Sequence, residues 1–85
     1  MTIKKVIKRN GSEVPYDSEK IRIAIQKANN EVPEKEQASD FVISEIIRSL
    51  ELSKKGIVPI EEIQDFIEKQ LIEMHKPELA KKYII

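Results

Sequence analysis

"VIKRNGSEVPY", residues 6–16, and the "DSEKI" that follows at 17–21 decide the fold. Two strand-forming pieces meet at Asn10-Gly11, a strong signal for a hairpin, because the favoured two-residue turn needs positive φ at both central positions. Such a turn pairs Arg9 with Ser12, Lys8 with Glu13, Ile7 with Val14 and Val6 with Pro15. Side chains alternate along a strand, so this register predicts Ile7 and Val14 on a packed face and Val6 with Lys8 on the presented one. Pro15 is tolerable only near a strand end or on an edge.

Outward from the hairpin, the chain reads as helices. Asp17 is suited to cap the first, "YDSEKIRIAIQKANN", because its carboxylate can accept from an early free N–H, and Ile21, Ala24, Ile25 and Ala28 recur at helical spacing. Asn29-Asn30 is its expected stop. After "EVPEKEQASD", a polar loop or helix start, Ile43, Ile46, Ile47 and Leu50 predict a second helix from about Ser39 to Ser53, which Gly56 could close from a left-handed position. Ile57-Val58 is a candidate third strand, and Pro59 can open the next helix, where no N–H donor is needed. That helix carries Ile60, Ile63, Phe66, Ile67, Leu71 and Met74 as far as His75. Pro77 restarts a last short helix with Leu79, Ala80, Tyr83 and Ile84. Ending on Tyr-Ile-Ile with neither cap nor polar tail, it suggests a chain cut from something longer. The expected fold is α+β: a hairpin or small three-stranded sheet capping a bundle of about four helices.

Composition narrows the function. Eighty-five residues make one domain, too small for a core plus a separate catalytic cleft. Fifteen Lys and Arg balance fifteen Asp and Glu, so no long-range field draws the chain onto nucleic acid or an anionic membrane. Without cysteine there are no disulfides, thiolate zinc sites or thiol nucleophiles. The amino terminus lacks the apolar stretch of a signal peptide and no run is long enough to span a bilayer, so the expectation is a soluble, cytoplasmic protein. Glycines at 11 and 56 alone permit neither a P-loop nor a dinucleotide fingerprint. His75, the single histidine, reads as a solvated residue near a negative helix terminus, and Glu61-Glu62 and Glu34/Glu36 read as solvated helix faces.

The exception is Lys8-Arg9 with Asp17 and Lys20. In the bland reading, Lys8 pairs with Glu13 across the hairpin, Arg9 is a solvated turn charge and Lys20 is a first-turn surface residue. In the functional reading, a hairpin running straight into a helix brings Lys8, Arg9 and the helix's free N–H groups together, a combination suited to a phosphate chain. An adenine could then lie against Val6 and Ile21. Spacing leaves both open.

The same residues carry a family resemblance. "VIKRNGSEVPYDSEKIRIAIQKA" closely resembles the opening of the ATP-cone domain, whose pattern runs Val-x-Lys-Arg-Asp/Asn-Gly, an extended piece, then Asp/Asn-x-x-Lys-Ile. "VPIEEIQDFIEKQL" resembles its third-helix segment and "PELAKKYII" its end, which in family members usually runs on into Tyr-Arg. ATP-cones are regulatory domains, found chiefly on ribonucleotide reductases and, behind a zinc ribbon, on a bacterial repressor of reductase genes; without cysteines no ribbon is present. "EVPYDSEKI", "EIQDFIEKQL" and "LAKKYII" look most like the anaerobic ribonucleoside-triphosphate reductase, and the oxygen-dependent large subunit has similar segments.

What the resemblance implies is specific. The fold would be a helical bundle capped by a three-stranded sheet, spanning residues 1–85 and truncated at its carboxyl end. Val6 and Ile21 would flank the adenine. Lys8, Arg9 and Lys20 would bind phosphates, and Gly11 would make the turn that gathers them. Asp17 would lie near the sugar, and Ile60 and Gln64 near the pocket wall. Val14 stands where some members carry an acidic residue that bears on ribose recognition. The domain would be non-catalytic: ATP, with Mg2+, permits activity of the attached reductase, and dATP in the same site switches it off by changing oligomeric state, matching deoxyribonucleotide synthesis to DNA replication. The alternative is a small nucleic-acid or protein interaction module using the basic hairpin, against which the neutral composition and four aromatics argue.

Overall fold

Apolar residues recur at helical spacing in four segments, and each forms a helix in the computed structural model, which describes residues 3–83. In chain order the elements are β1 (Ile3–Ile7), β2 (Glu13–Pro15), α1 (Ser18–Asn29), a 3-10 turn (Glu34–Glu36), α2 (Asp40–Ser53), β3 (Gly56–Pro59), α3 (Ile60–Glu73) and α4 (Pro77–Lys82). The α+β expectation holds: a three-stranded sheet of order β2-β1-β3 lies on the four helices. The central strand β1 runs antiparallel to β2 and parallel to β3. Ile57-Val58 does join the hairpin as the third strand.

The helix ends follow their local chemistry. Asp17 caps α1, its carboxylate accepting from the Glu19 N–H, and Ser39 caps α2 by accepting from the Val42 N–H. Asn30 ends α1 as expected. The Asn29 side chain fastens the connector by both donating to and accepting from the Ala38 backbone, each at 2.9 Å. The core runs through Ile25, Ile43, Ile46, Leu50, Ile63, Ile67, Leu71 and Leu79, all essentially excluded from water. Among the described residues, no helix is long and apolar enough to cross a membrane.

Four expectations need correction. First, the hairpin register is shifted by one: β1 pairs Lys5 with Pro15, Val6 with Val14 and Ile7 with Glu13. Only Gly11 takes positive φ (+90°), so the loop is Arg9-Asn10-Gly11, closed by the Gly11 N–H donating to the Lys8 carbonyl and the Lys8 N–H donating to the Ser12 carbonyl. This is a three-residue loop with glycine in the left-handed position, a common alternative to the two-residue turn. Asn10 keeps negative φ and uses its side chain instead, accepting from the N–H and hydroxyl of Ser12. A one-residue slip exchanges the faces, so Val6 joins Val14 on the packed side and Ile7 leaves the core.

Second, Gly56 has positive φ (75°) but opens β3; α2 ends at Ser53 and is followed by Lys54 in extended conformation. Third, the left-handed helix stop belongs to His75 (φ 63°) after α3. The His75 N–H donates to the Ile72 carbonyl and that of Lys76 to Leu71, the paired bonds of a Schellman motif. Fourth, α4 ends at Lys82, and Tyr83 is extended and buried beneath it. Ile84 and Ile85 lie outside the described residues.

Candidate functional site

The hairpin, the start of α1 and the start of α3 enclose a cavity of about 370 Å3. That volume is within the ~300–1,000 Å3 of small-molecule sites. Its inner wall is apolar, made by Val6 and Val14 from the hairpin, Ile21 from α1, and Ile60 and Ile63 from α3. Its rim is cationic: Lys8, Arg9 and Lys20 line it, with Asp17 the one carboxylate among the lining residues. Pro15 and Tyr16 complete the side next to Asp17, and Asn10 the side at the loop.

Each element delivers its residues for a local reason. Val6 and Lys8 alternate onto the same face of the hairpin arm, so an apolar and a cationic group reach the cavity together. Lys20 and Ile21 come from the first turn of α1, whose start is fixed by the Asp17 cap. Ile60 and Ile63 are one helical turn apart at the start of α3. Tyr16 is fixed from the far side, its hydroxyl donating to Glu51 of α2 at 2.8 Å. Burial, and then the Glu51 carboxylate, hold that phenol well above its ordinary pKa.

The structure therefore gathers Val6, Lys8, Arg9, Asp17, Lys20, Ile21 and Ile60 around one space, while Gly11 and Gln64 stand outside its lining. Gly11 shapes the loop. Gln64 touches a lining residue, accepting from Arg9 Nη2 at 3.0 Å. Asn10, Pro15, Tyr16 and Ile63 are lining residues the sequence reading did not assign. Helical spacing from Ile60 could have found Ile63. Nothing local marked Tyr16, because its partner is thirty-five residues away.

The bland readings of Lys8 and Arg9 are corrected, while Lys20 is an exposed residue of the first turn of α1 as that reading had it. Glu13 pairs with Lys5, at 3.8 Å, because the shifted register puts those two side chains on the same face. Neither Lys8 nor Lys20 is within ion-pair distance of a carboxylate among the described residues. Arg9 is no free turn charge: besides Gln64 it meets Glu61, Nε to Oε2 at 3.8 Å. The expectation of free N–H groups at the start of α1 also weakens, since Glu19 N–H goes to the Asp17 carboxylate and Lys20 N–H to the Asp17 carbonyl. Two ammonium groups, those of Lys8 and Lys20, are thus the rim cations without an ion-pair partner among the described residues. Among the described residues, no three His, Cys, Asp or Glu side chains stand together as metal ligands.

Residues 4–85 match the family described as the ATP cone domain. The chain is 37% identical over 87 residues to the ribonucleoside-diphosphate reductase subunit alpha of Treponema pallidum, covering 94% of this chain and 10% of that protein. It is 37% identical to the vitamin B12-dependent ribonucleoside-diphosphate reductase of Thermoplasma acidophilum, over 82% of this chain and 9% of the relative. It is 33% identical to the anaerobic ribonucleoside-triphosphate reductase of Salmonella typhimurium, over 93% and 11% respectively. The chain spans about a tenth of the length of these relatives.

Proposed function

This chain belongs to the ATP-cone family, and on that premise we propose that its cavity binds an adenine nucleotide as an allosteric effector of a ribonucleotide reductase. The observation that carries the reading is the joining of an apolar wall to a cationic rim in one space. Val6 and Ile21, both largely buried, supply part of the apolar wall against which a base would lie. Lys8 and Lys20, with Arg9 beside them, stand where a phosphate chain would leave the cavity. The domain carries out no bond making or breaking; its residues bind, orient and exclude water.

ATP and dATP differ by one hydroxyl, so discrimination needs a polar group at the sugar. Val14 offers none, and we assign that role to Asp17, the one carboxylate among the lining residues. Its Oδ1 is engaged by the Glu19 N–H, and the other oxygen is the acceptor for a ribose hydroxyl. Mg2+ would arrive with the phosphates, since it binds through few protein carboxylates and keeps its waters and phosphate oxygens. Regulation then follows from linkage: ATP favours an active assembly and dATP an inactive one only to the extent that each binds the two unequally, typically by ~1–3 kcal/mol. The partners are the catalytic part of the same reductase and, in the inhibited state, further copies of it.

Calorimetric titration of the chain with MgATP, MgdATP and a short oligonucleotide tests the reading. Saturable binding of the adenine nucleotides and none of the oligonucleotide is the expected result. Lys8→Ala should weaken ATP by about 10-fold or more, the value of a charge-assisted contact, while leaving thermal stability nearly unchanged. Salt-sensitive oligonucleotide binding without a nucleotide response would overturn the proposal.

A further inference from the structure

Of the three cations at the rim, two have no ion-pair partner among the described residues and one is held. Arg9 extends from the hairpin loop to the first turns of α3, where it meets two groups of different kind. The Gln64 carbonyl oxygen accepts from Nη2 at 3.0 Å, a distance at which a hydrogen bond directs the guanidinium. The Glu61 carboxylate lies 3.8 Å from Nε, too long for a hydrogen bond and short enough for charge attraction. Gln64 itself is steadied by donating to Glu68 at 3.4 Å, one helical turn on. One contact orients without neutralising; the other neutralises without orienting. An arginine has five donors, so the single bond to Gln64 leaves the fork open toward the cavity that Arg9 lines.

We propose that Glu61 is an internal competitor for Arg9: its carboxylate occupies the charge that a phosphate-bearing ligand needs, and so sets how tightly the cavity holds that ligand. This rests on the reading of the cavity as an adenine-nucleotide site. Binding exchanges one anion for another on the same guanidinium, with Gln64 keeping Arg9 aimed at the rim throughout. The exchange is a weak one in energy, because both side chains are about half exposed, and an effector present at high concentration can win it. Glu61 thereby lowers affinity into a range where binding can respond to changes in effector level.

The neighbouring carboxylate provides the control. Glu62 carries the same charge in the same helical turn but is paired with Lys54 at 3.4 Å and does not touch Arg9. Dissociation constants for MgATP should be measured by calorimetry for the unmodified chain, Glu61→Gln, Glu62→Gln, Arg9→Gln, and Glu61→Gln combined with Arg9→Gln, each checked for folding by circular dichroism. Glu61→Gln should tighten ATP by ~2- to 5-fold, the range of an exposed ion pair. Glu62→Gln should change it little, and the gain from Glu61→Gln should vanish once Arg9 is Gln. Unchanged or weaker binding in Glu61→Gln overturns the proposal, as does equal tightening by both glutamate substitutions, which would mark a general field effect. An unmodified chain that binds no ATP would overturn the reading of the cavity itself, and this inference with it.

Discussion

His75 shows how much one backbone angle can hold. It is the only non-glycine residue with positive φ among those described, and its side chain is exposed, so nothing but the α3 stop requires it there. A side chain in the left-handed region costs ~1–2 kcal/mol, part of which glycine gives back through the greater freedom of its unfolded chain. His75→Gly should therefore stabilise the fold by about 0.5–1 kcal/mol and raise Tm by a few degrees. His75→Ala keeps the Cβ and should give no such gain. Thermal unfolding of the three proteins side by side decides it; a glycine variant that melts at or below the parent would mean that the imidazole makes a compensating contact.

The hairpin loop is the element on which the cavity depends, since it sets the register of β1 against β2, the face on which Lys8 follows the strand, and where Arg9 starts. Its closure rests on Gly11 at φ +90°, with open space where a Cβ would go. Gly11→Ala therefore meets no clash, and its cost is purely conformational, ~1–2 kcal/mol. In a domain of this size Tm should fall by roughly 4–8 °C per kcal/mol. MgATP binding should fall as well, because Arg9 and Asn10 lie in the strained loop. Differential scanning calorimetry and a titration on one preparation measure both. Unchanged stability would show that the loop reaches another turn type without cost.

At the scale of the whole molecule, both tyrosines of the chain are tied into the packing. Tyr83 is buried, its hydroxyl has no hydrogen-bond partner among the described residues, and burial followed by the nearby Glu68 charge pushes its pKa far up. Tyr16 is raised by its own burial and by Glu51. Folded-state values above the ordinary tyrosine value mean that the folded chain keeps protons the unfolded chain would release. Their contribution is thus complete below about pH 10 and is lost as pH rises beyond it. Urea midpoints should fall between about pH 9 and 11.5, and phenolate absorbance should rise with unfolding, not ahead of it. Tyr83→Phe is the comparison that isolates the effect: its midpoint should fall less steeply. Equal slopes would contradict the assignment.

What the sequence by itself determined is local in origin. The four helices, the Asp17 cap and the third strand at Ile57-Val58 follow from spacing and hydrogen bonding within about one turn, which a linear reading can see. So does the meeting of Lys8 with Lys20, because the hairpin runs directly into α1. Tertiary structure decided the rest. "NG" permits both a two- and a three-residue loop, and burial of Val6 with Val14 against the helices chose the second, moving the register by one. Glu13 turned from Lys8 to Lys5 as a consequence. Arg9 found Gln64 and Glu61, and Tyr16 found Glu51, across separations of thirty-five to fifty-five residues that no periodicity encodes. Such contacts exist only after the helices have docked, when the free energy of burial fixes which distant side chains share a space.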